Sequence, residues 1–549
     1  MAVLAETRHR IRDALVAAWQ AAVAAGALPA VELPGFTVQQ PREAGHGDLA
    51  SNLALALAGP SRLPPRKVAA ALASRLGDLG RVDVAGPGFL NVTLPSGWLT
   101  PVLPEVAAAG GKYAHTDMGG GRRVLVEFVS ANPTGPLNVV NCRQAAYGDA
   151  LVRCLKAAGW RAEGEYYVND AGGQFRRLGE SLRARVMELR GGSFEVPEGG
   201  YPGEYLIPLA EAFDQAEHGD PPVEVYARFA VDRILETQRQ TLGRFGVVFD
   251  RFVHESAIRE RGEPERVVAA LAAAGHTFQK DGALWLRSTA FGDNDDRVLV
   301  KRNGEFTYRV PDIAYHADKF ARGYDVLIDV LGQDHHGDVA SVRAGLAGLG
   351  YPVERLDVVL NQLVRLVRGG ETVRMSKRGG TFISMDEFLD EVGPDAARFF
   401  FLMRTVDNHM DFDIDLATRQ AADNPVYYVQ YAHARICSLV RQAAEAGLHV
   451  AAPADVDVSV LTHPAEVALM LAMAELPDEV GAAAEARAPH RVTTYARSLA
   501  ESFHNFYVQC RVIGEAAPVA RARLLLADCA RAVLAETLGL LGVGAPERM

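Results

Sequence analysis

The chain has no CxxC pair. Its five cysteines, Cys142, Cys154, Cys437, Cys510 and Cys529, are scattered along it. Disulfide and structural zinc frameworks need paired or clustered thiols, so neither is expected, and a reducing cytoplasm is the default compartment. No apolar run reaches the ~20 residues that cross a bilayer, so no membrane partner is expected. There is no positive excess either. A formal net charge of −11 excludes a chain uniformly basic for nucleic acid, while leaving room for local basic faces. The opening stretch "MAVLAETRHRIRDALVAAWQAAVAAG" has charges inside its apolar pattern, which reads as an amphipathic helix and not a secretory signal. Sequence repeats and low-complexity tracts are missing too, although the C-terminal part is rich in alanine. What is present is ordinary for a soluble protein, with 49% hydrophobic and 23% charged residues. At 549 residues the chain is too long for one core and should divide into several domains.

The pattern changes three times. Residues 1–110 read as a small α+β unit, with a helix over 5–25 and Pro-Ser-Arg-Leu-Pro-Pro at 60–65 separating two more. Gly119, Gly120 and Gly121 mark a linker. Residues 120–385 then alternate as strand, loop and helix. "RVLVEFV" is a continuous apolar run of the kind a buried parallel strand shows. A helix over 143–158 and the strand "EGEYYVND" follow. The mostly helical stretch 175–285 reads as an insertion, because α/β alternation resumes only after it. "RVLVKRNGEFTYRV" (297–310) suggests two strands around a type I′ turn at Asn303-Gly304. A helix over 312–322, a strand over 324–331, a helix over 338–349 and a strand over 356–363 make a second α/β half. The expected architecture is multidomain α/β, with a Rossmann-type doubly wound domain interrupted by an insertion. A helical link (386–424) and an all-α unit (425–549) complete it.

Two loops carry the chemistry. "ANPTGPLNVVN" (131–141) lies between a strand and a helix, where a nucleotide would rest. "ETVRMSKRGGT" (371–381) presents Arg374, Lys377 and Arg378 on a Gly-flanked turn, which suits a polyphosphate. Together they resemble the HIGH and KMSKS signatures of class I aminoacyl-tRNA synthetases. The wider set "VEFVSANPTGPL", "YYVNDAGGQ", "YPGEYL", "FTYRVPDIAYHADK", "GQDHHGDV", "DFDIDLA" and "LGVGAPERM" resembles the arginyl-tRNA synthetases. "HGDLASNLALALA" is similar to the N-terminal tRNA-binding domain of that family, so the resemblance covers nearly the whole chain.

That resemblance implies an arginine–tRNA ligase. Arginine's flat, forked cation needs carboxylate or amide acceptors in its plane. The family's arginine-binding positions match Glu127, Asn132, Tyr308, Asp312 and Gln333, with Asp312 facing the guanidinium. Its ATP-binding positions match Ala131, Asn132, Pro133, Thr134, Gly135, Pro136, Leu137, Asn138, Val139, Val140, Asn141, Met375 and Lys377. Catalysis would fall to Lys377, Ser376 and Arg374, with Asn138 and Asn141 at the loop tip. "YRVPD" is expected to set Tyr308 at a strand end and Asp312 at the next helix start. Read by itself, Asp312 would be a helix N-cap. Candidates for tRNA contact in the C-terminal unit are Tyr428, His433, Arg435, Tyr507 and Met549. The implied partners are tRNA(Arg), L-arginine and ATP with Mg2+, for a monomer whose activation step needs bound tRNA. "DHHGD" (334–338) has a tempting metal composition. Adjacent histidines rarely meet at one ion from a loop–helix junction, so these positions are expected beside the adenosine pocket, and no structural metal is expected.

The tip departs from the family. Where the family carries His-x-Gly-His, this chain has Asn138-Val139-Val140-Asn141. Asparagine donates a hydrogen bond but cannot become cationic, and Val140 puts a branched side chain where a glycine lets adenine approach. A second reading is therefore a synthetase-like paralogue that holds arginine or tRNA without activating the amino acid.

Overall fold

The computed structural model of the protein describes residues 3–41, 45–217, 219–333, 336–373 and 383–549, with backbone alone at His336. The N-terminal unit begins with a helix, Val3–Ala24, that buries Leu4, Ile11, Leu15, Ala18 and Ala22 along one stripe. Strands β1 (Val38–Gln39), β2 (Leu49–Ser51), β3 (Arg81–Ala85) and β4 (Phe89–Thr93) form an antiparallel sheet in the order β1-β2-β4-β3. The expected break at 60–65 falls between helices Leu53–Ser61 and Pro65–Ala73. Arg62 closes the first in the left-handed region at φ 53°, and Pro64 caps the second.

The α/β unit holds β5 (Arg123–Phe128), β6 (Arg161–Val168), β7 (Arg251–His254), β8 (Thr277–Lys280), β9 (Ala283–Leu286), β10 (Arg297–Val300), β11 (Val326–Gly332) and β12 (Leu356–Asn361). Five of these strands make an all-parallel sheet in the order β12-β11-β5-β6-β7, and β8, β9 and β10 make a separate antiparallel one. The sheet corrects the reading of 175–285 as a single insertion. Helices Gly172–Leu189, Leu206–Ala216 and Val223–Arg244 are the crossover from β6, and the chain then returns to add β7 at the sheet edge. A four-residue strand is too short for its periodicity to stand out between two helical stretches.

The hairpin at 297–310 is corrected as well. Only β10 forms, and the partner is a single bridge from Val300 to Phe306. Gly304 alone takes a positive φ, 83°, whereas a type I′ turn needs two such residues. The chain turns within Lys301–Glu305 and enters a helix, Arg309–Ala321. Beyond β12, strands β13 (Val364–Arg368), β14 (Glu371–Thr372) and β15 (Met410–Asp413) form a small third sheet. After β15 the chain is helical to its end, with long helices Pro425–Glu445, His490–Gln509 and Ala517–Leu540.

Candidate active site

In the five-stranded sheet the connections run from β5 outward to β6 and β7 on one side, and to β11 and β12 on the other. The carboxyl ends of β5 and β11 therefore flank the crevice at which ligands bind in open parallel sheets. β5 ends in strain. Val129 and Ser130 have φ values of 69° and 38°, and a β-branched residue is a true outlier there. The bend is held by the Ser130 hydroxyl, which donates to Glu127 Oε1 at 2.8 Å and accepts from the Tyr167 backbone N–H at 3.1 Å.

The loop beyond is clamped by its carbonyls. Tyr166 Oη lies 2.9 Å from the Ala131 carbonyl, and Gln238 Nε2 donates to Gly135 O at 2.9 Å and to Asn132 O at 3.3 Å. The Tyr205 hydroxyl donates to Thr134 O. Pro133 and Leu137 are buried, while Asn132 and Pro136 are exposed. Gln238 carries no motif signal, whereas Tyr166 falls in "YYVNDAGGQ" and Tyr205 in "YPGEYL".

The tip folds into a helix cap. Asn138 precedes the helix Val139–Ala157 and accepts the Val140 N–H on its side chain at 2.9 Å. The Asn141 side chain accepts the Asn138 N–H at 3.0 Å, closing a reciprocal box. The helix thus starts at Val139, four residues before the expected 143, because Asn138 supplies the cap. Val139 is buried and Val140 half-buried. Both asparagine carbonyls are used within the loop, and among the described residues neither amide nitrogen makes a hydrogen bond. Leu137 O accepts from the Met385 N–H at 2.8 Å, tying the tip to the start of the helix Met385–Val392. Arg374, Met375, Ser376, Lys377 and Arg378 lie outside the described residues.

Beside this loop the helix Arg309–Ala321 brings a row of charged side chains onto the sheet. Tyr308 is its N-cap residue, not a strand end, and Asp312 sits inside the first turn, not at the cap. The Lys319 ammonium is fully buried and donates to Glu127 Oε2 at 2.5 Å and Asp329 Oδ1 at 2.7 Å. His316 Nε2 lies 2.6 Å from Asp329 Oδ2, and its Nδ1 lies 2.7 Å from the Asp312 carbonyl. Burial and Lys319 both press the His316 pKa down, but Asp329 and Glu127 leave it above the usual histidine value. Burial would raise Asp329, yet Lys319 and His316 hold it well below the carboxylate range.

Asp312 differs from these acids. It forms no ion pair among the described residues. Burial pushes its carboxyl up to about 7, against some relief from His316, and Glu255, Glu127 and Asp338 push the same way. Tyr308 is exposed and its hydroxyl donates to Asp338 Oδ1 at 2.7 Å. Gln333 is exposed just past the carboxyl end of β11. Glu127, Glu255 and Asp338 are thus close enough to Asp312 to raise its pKa, and Tyr167, whose hydroxyl donates to Glu255 Oε2 at 3.0 Å, lies in the same acidic cluster. Glu127, His316 and Asp329 also have ligand atoms within 4.8 Å of one another. The Lys319 ammonium already lies against both carboxylates, so these residues do not fit a metal ion. Asp334 and His335 of "DHHGD" lie outside the described residues.

In the C-terminal unit, Arg435 lies between the Tyr431 and Tyr507 rings, with 4.9 and 4.7 Å to their centroids. Tyr428 is half-buried against the His504 ring, and Tyr507 and Met549 are exposed. His433 is corrected: it is buried, with Nδ1 2.9 Å from the Pro546 carbonyl, and offers no exposed contact. It falls on the inner face of its helix, which the period alone did not reveal.

Residues 6–94 match the family model described as the arginyl tRNA synthetase N terminal domain, and residues 429–549 match the DALR anticodon binding domain. The arginine–tRNA ligase of Symbiobacterium thermophilum is 46% identical over the full length of both chains. The chain belongs to the arginyl-tRNA synthetase family. That of Desulforudis audaxviator is 48% identical over 94% of each chain. Among solved structures, the Thermus thermophilus arginyl-tRNA synthetase superposes with a TM-score of 0.74 at 26% identity, covering 99% of this chain and 100% of that one. A Mycobacterium tuberculosis methionyl-tRNA synthetase, 14% identical with a TM-score of 0.51 over 76% of this chain and 89% of that one, shares the fold alone.

Proposed function

We propose that this chain is an arginine–tRNA ligase acting in protein synthesis. The carboxylate of arginine attacks the α-phosphorus of ATP, pyrophosphate leaves, and arginyl-adenylate forms. A hydroxyl of the 3′-terminal ribose of tRNA(Arg) then takes the arginyl group and AMP leaves. Bound to ATP, Mg2+ would supply charge neutralisation at the phosphates. Catalysis by the chain is placement and electrostatics, with no covalent enzyme intermediate.

The observation that carries the reading is Asp312, an acid with no ion pair among the described residues, at the switch point of the family's sheet. Its carboxylate takes the guanidinium, while Tyr308 and Gln333 fix the plane of the fork. Glu127 and Asn132, at the strained end of β5, hold the amino and carboxyl groups of arginine. ATP lies along residues 131–141 over the first turn of the helix Val139–Ala157. Lys377, with Ser376, Arg374 and the neighbouring Met375, meets its phosphates. Tyr428, Arg435, Tyr507 and Met549 face the tRNA. The enzyme acts as a cytoplasmic monomer. Arginine-dependent exchange of pyrophosphate into ATP, run with and without tRNA, tests this. Exchange that requires tRNA is expected. Arginine binding with no exchange under either condition would contradict it and favour a binding paralogue.

A further inference from the structure

Three carboxylates stand side by side at one level of the central sheet. Glu165 on β6 is in register with Glu127 on β5, and Glu127 with Asp329 on β11. Like charges opposite each other in a ladder repel, so this row needs compensation. A fourth acid, Asp312, comes from the helix above it. That helix also brings the cations. Arg322 donates to both oxygens of Glu165, at 2.5 and 2.9 Å, and Arg251 reaches the same carboxylate at 3.8 Å. Lys319 joins Glu127 and Asp329. The two ring nitrogens of His316 face a carbonyl oxygen and an ionised carboxylate, neither of which donates. Both nitrogens must therefore carry protons, and the ring is an imidazolium. Glu255, on the neighbouring helix Glu255–Glu260, is held by Arg259 at 2.6 Å. Among the described residues, Asp312 is the acid of this cluster that no cation pairs.

We propose that Lys319 and His316 are positioning residues that set amino-acid specificity. By occupying Glu127 and Asp329 they leave Asp312 as the single carboxylate open to a substrate side-chain cation. Lys319 also fixes Glu127 from one side while Ser130 fixes it from the other, so the acid beside the reacting end of the substrate is held in one pose. Without the Lys319 ammonium, Glu127 and Asp329 would form a second anionic hole, with the size and charge to take the ammonium of free lysine. Selectivity for a guanidinium over an ammonium is thus built partly by filling the competing hole from within.

The inference rests on the arginine–tRNA ligase reading, so exchange by the unaltered enzyme is measured alongside. Its absence sinks that reading whatever the variants do. The test is the variant Lys319→Ala, which empties the hole while leaving Glu127 and Asp329 in place, with folding checked by circular dichroism. KM for arginine should rise about tenfold with KM for ATP nearly unchanged, and the arginine-over-lysine ratio of kcat/KM should fall about tenfold. A folded variant that loses kcat alone, with KM and selectivity intact, would show a merely structural network and overturn the proposal.

His316→Gln tests it independently should the Lys319→Ala variant not fold. The groups facing Asp312 are Glu127 from β5, Tyr167 from β6, Glu255 and Asp338 from neighbouring helices, and Tyr308 and His316 from its own helix. Among the described residues, loss of the imidazolium leaves acids and phenols facing Asp312, so the pH midpoint of KM for arginine should move up by about one unit. An unmoved midpoint would overturn the proposal.

Discussion

At the scale of single residues, the site is a problem of unpaired charge. Glu127, Glu165 and Asp329 are each satisfied from inside the protein, and their burial is tolerable for that reason. Asp312 is not, and its carboxyl lies near 7, above the ordinary 3.8. The sign of the consequence follows. Between those values the folded, empty protein holds a proton that the unfolded chain has lost, so this group's contribution to stability falls as pH rises through that window. In the proposed role of Asp312, arginine needs the ionised form, so its affinity is expected to rise as pH passes 7 and to level off above it. KM for arginine measured between pH 6 and 8.5 should fall and then flatten, and a flat profile across the whole range would remove Asp312 from the pocket.

At the scale of elements, the tip of residues 138–141 has a double life. Its asparagines serve as a capping box, and that cap is the reason the helix begins at Val139. The same box consumes backbone donors that would otherwise point at a bound phosphate. The triple change Asn138→His, Val140→Gly, Asn141→His should raise turnover by about two orders of magnitude, since each restored donor acts on charge that develops in the transition state. Arginine affinity should barely move, and the melting temperature should fall, because losing the cap costs about 1 kcal/mol. No gain in turnover would mean that the loop holds something other than ATP phosphates.

The elements also show what the sequence disclosed. The largely apolar run at 123–128 and the order of strands, loops and helices foretold a doubly wound sheet, since strands covered on both faces are mostly apolar. β7 stayed hidden because four residues carry too little pattern. Asn303-Gly304 misled because the dipeptide favours two left-handed residues, whereas the turn uses only the glycine. Within the site, Asp312 stood out through the family pattern and not through its own chemistry. Lys319 and His316 look like the polar face of an amphipathic helix until the register of β5, β6 and β11 shows which acids they meet. Gln238 is separated from the carbonyls it clamps by about a hundred residues of chain, and no local rule reaches that far.

At the scale of the whole molecule, one buried arginine joins three parts. Arg398, fully buried on the helix Pro394–Leu402, pairs with Asp149 of the helix that starts at the tip. It also donates to Phe245 O at 3.0 Å, beyond the crossover helices, and to Leu541 O at 2.8 Å in the C-terminal unit. Arg153 shares Asp149 at 2.8 Å. Arg398→Met would leave Asp149 with only that half-exposed partner and orphan two carbonyls. A loss of about 3 kcal/mol is expected, because breaking a buried pair strands its remaining charge. Thermal unfolding should show this as a lower midpoint, and an unchanged midpoint would mean that the contacts are dispensable.

The central claim is that Asp312, a carboxylate with no ion pair among the described residues, is the group that binds the guanidinium of arginine. Calorimetric titration of L-arginine and of L-citrulline, its uncharged near-isostere, into the unaltered protein and into Asp312→Ala at pH 8 tests it most directly. Tight arginine binding, citrulline weaker by at least about a hundredfold, and a loss of about 3 kcal/mol in the variant are the predicted results. Equal affinity of the two proteins for arginine, or of the unaltered protein for both ligands, would contradict it.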